Sequence, residues 1–479
     1  MTHKINVILA VDKNYGIGYN DKLPWNIPEE LKLFKEKTQN SILIVGRKTF
    51  QKLPSLKDRI VFCVSRKKIV RSENKDCIII YECMEEAIEQ AMKLHKTIFI
   101  IGGNQIYNYI FEKYKEQIIV HISFINNSYT CDTYFNPKNL ENFCILNKVD
   151  YGVFNHYEMI YEKDGEYQYI DLIKDLLKNG EIRNTRNGKT ISDFCKHLKF
   201  DLRKGYPLLT TKKMFLKGII EELLFFIRGD TNSKNLEEKG INIWKGNTSR
   251  EFLDANGFKD RKEGEMGPMY GSIWRNFNSL SSEREKSILK DSRSVYFNYK
   301  AYNKDYMSYT TDKIESIEFN IDQLKFVINE IKTNPTSRRI LMTSFNPSQV
   351  QQGVLWPCHS VTVQFYVQDE YLDMFCYNRS SDVFLGLPFN IASSSLFLLI
   401  IAKLTNKIPR YFNLSLGDFH IYNEHIDAVN EQIKRMPYSF PKIQLPDFNS
   451  LEEVEKITYN DFNLLNYNSY SQIKVKMIA

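Results

Sequence analysis

From residue 5 to about residue 162, short apolar runs alternate with amphipathic stretches. Runs at 5–10, 42–45, 60–64, 78–80, 98–101 and 118–122 read as strands: each is short, rich in Ile and Val, and bounded by polar residues. Stretches 29–37, 84–94 and 105–113 read as helices between them. That order predicts an α/β domain, a largely parallel sheet with helices packed on both faces. Beyond it the pattern changes. Ile170, Ile173, Leu176 and Leu177 fall at helical spacing, and Asn179-Gly180 ends the run. Ile219, Ile220, Leu223, Leu224 and Ile227 form one stripe, with Gly229 as its C-cap. Residues 361–367 are strand-like. Residues 391–404 are almost wholly apolar but too short to span a bilayer, and they carry serines, so they read as a buried core helix.

At 479 residues the chain has room for two or three domains, and 43% hydrophobic with 26% charged residues describes a soluble globular chain. The net charge of +7 is mild and accompanies abundant Lys and Asn, so it does not read as a nucleic-acid surface. The 8 cysteines are scattered and form no CxxC pair, which predicts a reducing compartment, no disulfide framework and no metal site. The first residues run straight into a strand with no apolar leader, so the expected location is cytoplasmic, with no membrane partner.

Candidate chemistry concentrates between Leu355 and Asn390. Pro357-Cys358-His359 precedes a strand, and Arg379-Ser380-Ser381-Asp382 follows it. A thiol attacks only as thiolate, and neighbouring cations favour that form. On spacing alone Cys358 fits packing better than catalysis; Arg379 and the upstream Arg338-Arg339 strengthen the nucleophile reading. Arg186, Arg338, Arg339 and Arg379 suit a phosphate monoester dianion if they converge, and are ordinary surface charges if they do not. In the first domain, Gly16-Ile17-Gly18 reads as a flexible loop leading to the rigid Leu23-Pro24-Trp25 anchor. Glu30 opens a helix after Pro28, with Trp25, Leu31 and Phe34 as its expected apolar surroundings. A carboxyl so placed has a raised pKa and can manage a proton near neutrality. Gly102-Gly103 ends a strand before a helix; it reads first as a tight strand-to-helix turn, and small residues there also let a phosphate approach the backbone.

The run from Arg379 to Asn390, with Pro357-Cys358-His359 and Gly417-Asp418-x-His420-x-Tyr422, resembles thymidylate synthase from about Tyr167 onward. The resemblance implies an α+β domain over 169–479 and reductive methylation of dUMP with 5,10-methylenetetrahydrofolate. Cys358 attacks the uracil ring. Glu222, Tyr270, His359, Asp382 and Asn390 complete the catalytic set. Arg186, Arg338, Arg339, Asn378, Arg379, Ser380, Asp382, Asn390, His420 and Tyr422 hold the nucleotide. Trp244 and Asp382 lie near the folate. The Arg338-Arg339 pair reaches across a homodimer interface, and Met477-Ile478-Ala479 closes over the site. Asn378 stands where the family has glutamine, and 278–318 reads as a surface insertion.

Residues 1–162 resemble dihydrofolate reductase through Leu23-Pro24-Trp25-Asn26-x-Pro28-x-Glu30, Gly46-Arg47-x-Thr49-Phe50, Ser65-Arg66 and Ile101-Gly102-Gly103 with Tyr107. The resemblance implies NADPH reducing dihydrofolate, with antifolates as further ligands. Glu30 is the active-site acid, and Phe34, Leu53, Leu56, Arg59 and Ser123 join it around the folate. Ser123 replaces a threonine that bonds the acid in the family. Ala10, Ile17, Gly18, Arg47, Lys48, Thr49, Ser65, Arg66, Ile101, Gly102, Gly103 and Tyr107 are the cofactor set. With a short junction at 163–168, the order resembles the bifunctional fusion of protists and plants. Two other readings compete with this one. A cytosine-nucleotide hydroxymethylase tends to carry Asp at the position of Asn390, and an RNA-binding regulator would show an RNA-binding motif.

Overall fold

The computed structural model describes residues 5–54, 56–66, 78–278 and 321–478. The expected insertion at 278–318 therefore lies outside the described residues, except for Asn278. The chain divides into two units, Met1–Lys163 with Met436–Ser439, and Asp164–Arg435 with Phe440–Ala479.

In the first unit the apolar runs become strands β1 (Ile5–Val11), β3 (Ile42–Gly46), β4 (Ile60–Val64), β5 (Ile78–Tyr81), β6 (Ile98–Ile100) and β7 (Ile118–Ile125). They join β10 (Phe154–Tyr161) and β9 (Phe143–Asp150) in one sheet ordered β5-β4-β3-β6-β1-β7-β10-β9. Every pairing from β5 to β7 is parallel, and β10 is antiparallel to both its neighbours. Helices cover both faces, as parallel strands buried on each side require. Helices α3 (Met84–Lys93) and α4 (Asn104–Lys113) press Ala87, Ile88, Ala91, Ile110 and Phe111 onto one side. On the other, Phe34, Phe50, Leu53 and Leu56 pack over Ile8, Leu43, Val45, Val61, Phe99 and Ile101.

Two expectations are corrected here. Gly16–Gly18 is not a loop but β2, paired with β8 (Thr133–Tyr134). A Cβ on Gly16 would stand 2.3 Å from Cys131 Sγ, so glycine is what lets the ribbon close. In α1 (Pro28–Thr38), Leu31 is 45% exposed; the inward residues are Glu30, Leu33 and Thr38.

The second unit is built on a six-stranded sheet ordered β11-β12-β16-β15-β14-β13, of which β11 (Glu181–Thr185), β13 (Leu341–Thr343) and β14 (Thr362–Gln368) are the short members. Its long members are β12 (Gly188–Asp201), β15 (Tyr371–Asp382) and β16 (Ile408–Tyr422), with β15 and β16 parallel and the other pairs antiparallel. Two apolar helices form the core beneath it, α6 (Leu216–Arg228) and the helix Gly386–Leu404. The latter is long and apolar enough to cross a membrane by composition, but 78% of its window is buried inside the unit, as a core helix is. Gly229 ends α6 at φ 77, its N–H bonded to Phe226 O and that of Asp230 to Phe225 O. Residues 163–168 include the first two residues of α5 (Tyr167–Asn179), and Glu166 just before it is buried.

Candidate active sites

The first site forms where parallel strands end. Ala10 lies at the carboxyl end of β1, Arg47, Lys48 and Thr49 follow β3, Ser65 and Arg66 follow β4, and Ile101, Gly102 and Gly103 follow β6. Open α/β sheets bind ligands at that edge. The edge is tightly held: Gly46 N–H donates to Gly102 O at 2.8 Å, and Tyr107 Oη–H donates to Ile8 O at 2.8 Å. Gly102 has φ +114, and a Cβ on Gly103 would stand 2.9 Å from Thr49 Oγ1. Only glycine leaves that backbone accessible beside a hydroxyl, which fits a cofactor laid along it. Arg47 is half-buried, Lys48 and Arg66 are exposed, and Ile17 and Gly18 are half-buried on β2.

Glu30 is 7% exposed in the first turn of α1, and burial pushes its carboxyl up to about 7. Its charge also helps to raise the Tyr107 hydroxyl, after burial. Phe34, Leu53 and Leu56 share the apolar face described above. Arg59 is held at the end of α1: Nε donates to Thr38 Oγ1 at 3.0 Å, and Nη2 donates to Lys35 O at 2.9 Å. The helix C-terminal carbonyls thus fix the fork while it remains charged. Ser123 does not bond Glu30 in the described structure. Its register partner on β10 is His156, and Ser123 Oγ lies 3.1 Å from His156 Nδ1.

The second site centres on Cys358. Its N–H donates to Tyr270 Oη at 3.0 Å, and the same oxygen lies 3.5 Å from Sγ. Tyr270 is buried at φ 41, and burial, with the Cys358 charge, drives its hydroxyl well above the usual range. His359 stacks on that ring at 4.4 Å, and burial lowers its imidazole to about 4, so it is neutral. Arg379 donates from Nε to Pro357 O at 2.8 Å and from Nη2 to Trp356 O at 2.9 Å, binding the guanidinium to the cysteine loop. The N–H groups of Arg379 and Ser380 both point to Cys358 O. Fully buried Asn378 accepts from Ser360 N–H at 3.0 Å and brings Nδ2 within 3.5 Å of Asn390 Oδ1. Asp382 Oδ1 accepts from the N–H groups of Phe384 and Leu385, turning β15 into the helix that carries Asn390.

Glu222 is buried on α6 and accepts from Trp244 Nε1 at 2.9 Å. Burial raises it to about 7, against that hydrogen bond. His420 Nδ1 lies 2.7 Å from Asp418 Oδ1, and the His420 and Tyr422 rings meet edge to face. Arg186, on the turn between β11 (Glu181–Thr185) and β12, is exposed and bonds Asn187. Arg338 and Arg339 are exposed in the loop before β13 (Leu341–Thr343). Lys476 O is held by His425 Nε2 at 2.9 Å, Met477 is 51% exposed, and Ala479 lies outside the described residues.

Sequence reasoning passed over one buried network. Glu166 accepts from the N–H and hydroxyl groups of both Thr210 and Thr211, and Gln432 Nε2 reaches Thr211 Oγ1 at 2.8 Å. Beside it Lys212 bonds Phe384 O, and burial pushes its ammonium down to about 7 against the charges of Asp382 and Glu166. No local motif signals it; only long-range packing does.

The fold thus presents two candidate sites, one with a buried carboxyl at a strand-edge cleft, the other with a thiol clamped by a tyrosine hydroxyl. Residues 4–163 match the dihydrofolate reductase family and residues 167–479 match the thymidylate synthase family. The chain is 36% identical over 492 residues to the bifunctional dihydrofolate reductase-thymidylate synthase of Paramecium tetraurelia, covering 98% of each chain. It is 33% identical to bifunctional dihydrofolate reductase-thymidylate synthase 2 of Arabidopsis thaliana, covering 98% of this chain and 88% of that one. The Leishmania major enzyme of the same name is 31% identical, with 98% and 94% covered. The chain belongs to the bifunctional dihydrofolate reductase–thymidylate synthase family. It reduces dihydrofolate with NADPH and methylates dUMP to dTMP with 5,10-methylenetetrahydrofolate; dUMP, dihydrofolate and antifolates are its ligands.

Proposed function

We propose that the two activities rest on Cys358 and Glu30, each served by the residues of its own unit. The clamp of Tyr270 Oη on both the N–H and the sulfur of Cys358 is the observation that carries the assignment for the methylation. Cys358 attacks C6 of the uracil, C5 becomes nucleophilic and captures the one-carbon unit, and Tyr270 then helps remove the C5 proton as the folate is expelled; the folate returns a hydride to the exocyclic carbon and the Cys358–C6 bond breaks, leaving dTMP and dihydrofolate. Asn390 reads the base edge, fixed in turn by Asn378. Glu222, near neutrality in its pKa, manages protons at the uracil carbonyl with Trp244 orienting it. Asp382 meets the pterin, and His420 and Tyr422 take the ribose. Arg186, Arg379 and Ser380 hold the phosphate. Arg338 and Arg339, exposed in one chain, complete the phosphate site of a second copy, so the enzyme is a homodimer with shared sites.

In the first unit NADPH supplies a hydride when bound along 101–103. Arg47, Thr49, Ser65 and Arg66 hold its phosphates, aided by Lys48. Glu30 binds the pteridine and helps protonate it, Phe34, Leu53 and Leu56 line the folate, and Arg59 takes its terminal carboxylate bidentately. Neither activity requires a nucleic acid.

Replacing the C5 hydrogen of dUMP by fluorine blocks the deprotonation and traps the adduct. Mass spectrometry of the denatured protein, given this analogue and methylenetetrahydrofolate, is expected to find both on the Cys358 peptide. An adduct on another residue, or turnover of dUMP by a Cys358→Ala variant, overturns the assignment.

A further inference from the structure

On the face of the first sheet covered by α1, strands β7 and β10 bring His121, His156 and Glu158 together. Glu158 is the register partner of His121, and His156 that of Ser123. Each offers a ligand atom, and the three atoms lie within 4.8 Å of one another. His121 is 8% and His156 3% exposed. Among the described residues, His121 Nδ1 and His156 Nε2 are buried with no hydrogen-bond partner, a state native structures rarely leave uncompensated. The other nitrogen of each ring is tied to an oxygen: His121 Nε2 lies 3.1 Å from Asn6 Oδ1, and His156 Nδ1 lies 3.1 Å from Ser123 Oγ. Asn6 is itself oriented, its Nδ2 donating to Ile98 O at 3.2 Å. Metal-bound histidines are held in this way, one nitrogen donating to an oxygen and the other lone pair turned to the ion.

A cation already stands there. Lys37 of α1 places Nζ 2.5 Å from Glu158 Oε1, and His121 Nδ1 lies 3.5 Å from the same oxygen. The Lys37 and Glu158 side chains keep 23% and 28% exposure, so the cluster opens to water on their side. That gives an ion an entry path, and the lysine a way out.

We propose that His121, His156 and Glu158 form a binding site for a divalent transition metal of the zinc class, with the Lys37 ammonium holding the place of the ion. Two imidazoles and a carboxylate, with a fourth position open to water, are a donor set such ions accept. Bonds of about 2.0–2.2 Å draw the ligand atoms to about 3.4 Å apart, within reach of small side-chain rotations. Bound there, the ion ties β7 to β10 and releases Lys37 from Glu158.

The test uses the full chain, without an affinity tag and stripped with chelator, titrated with Co²⁺ and then with Zn²⁺. Expected are one Co²⁺ per chain with the intense visible bands of four-coordinate cobalt, displaced by Zn²⁺. Glu158→Gln and His156→Gln should each weaken binding about 100-fold or more, Asn6→Leu about 10–100-fold, and Lys37→Met should tighten it about tenfold by removing the competing charge. Glu158→Gln preserves shape and serves if the histidine variant fails to fold. Absence of the bands in both wild type and Lys37→Met overturns the proposal, as does binding unchanged by Glu158→Gln.

Discussion

Glu30 and Glu222 are both withdrawn from water, and burial drives each carboxyl up to about 7. For Glu30 no described hydrogen bond offsets this. Its folded pKa stands above the usual 4.5, so the folded state holds the proton more tightly than the unfolded chain. Stability contributed by this group is therefore full below about pH 4.5, falls as pH rises towards 7, and stays low above it. Glu30→Gln is expected to raise unfolding stability by up to about 3 kcal/mol at pH 8 and to change it little at pH 4, while reductase activity is lost; denaturant titrations at the two pH values check it. In the wild type, reductase kcat/KM should decline as pH rises through about 7, because the acid form is consumed. In the second unit the corresponding prediction concerns a hydroxyl. Tyr270→Phe strips the partner from Cys358 N–H and Sγ, and is expected to cut synthase kcat by about 10²–10⁴-fold with NADPH-dependent reduction unchanged, measured as separate half-reactions.

Elements set these groups in place. Gly271 opens the short helix after Tyr270, and a Cβ there would stand 2.4 Å from Phe226 O on α6. Gly271→Ala should therefore destabilise the second unit by about 1–3 kcal/mol and displace Tyr270, lowering synthase but not reductase activity; thermal melts with both assays decide it. The same scale explains what the sequence could and could not show. Strands β1, β3, β4 and β7 are legible because buried parallel strands are continuous apolar runs. β9 is not, because its last five positions, Leu146 to Asp150, are exposed and mostly polar. The burial of Glu30 is legible because Pro28 opens a helix whose first turn carries it beside apolar residues. The pairing of Ser123 with His156 is not, since it arises from strand register across 33 residues. The same holds for Glu166 with Thr210 and Thr211, and Leu31 was misplaced because one helical position separates the inward from the outward face.

At the scale of the whole molecule, the synthase releases dihydrofolate and the reductase consumes it, so one chain closes its own folate cycle apart from the one-carbon supply. The exposed Arg338-Arg339 loop extends the account to two chains. Mixing inactive Cys358→Ala with an inactive Arg338→Ala/Arg339→Ala double variant, then letting subunits exchange, should restore about a quarter of wild-type synthase activity, since only mixed dimers hold one complete site. No recovery despite subunit exchange would place the pair outside the shared site. The most direct test of the central claim, that two residue sets carry two separable reactions, follows both half-reactions in Cys358→Ala and Glu30→Ala. Dihydrofolate formation is read with dUMP and methylenetetrahydrofolate alone, and NADPH oxidation with added dihydrofolate. Each variant is predicted to abolish its own reaction and leave the other near wild type; a variant that removes both, or neither, contradicts the account.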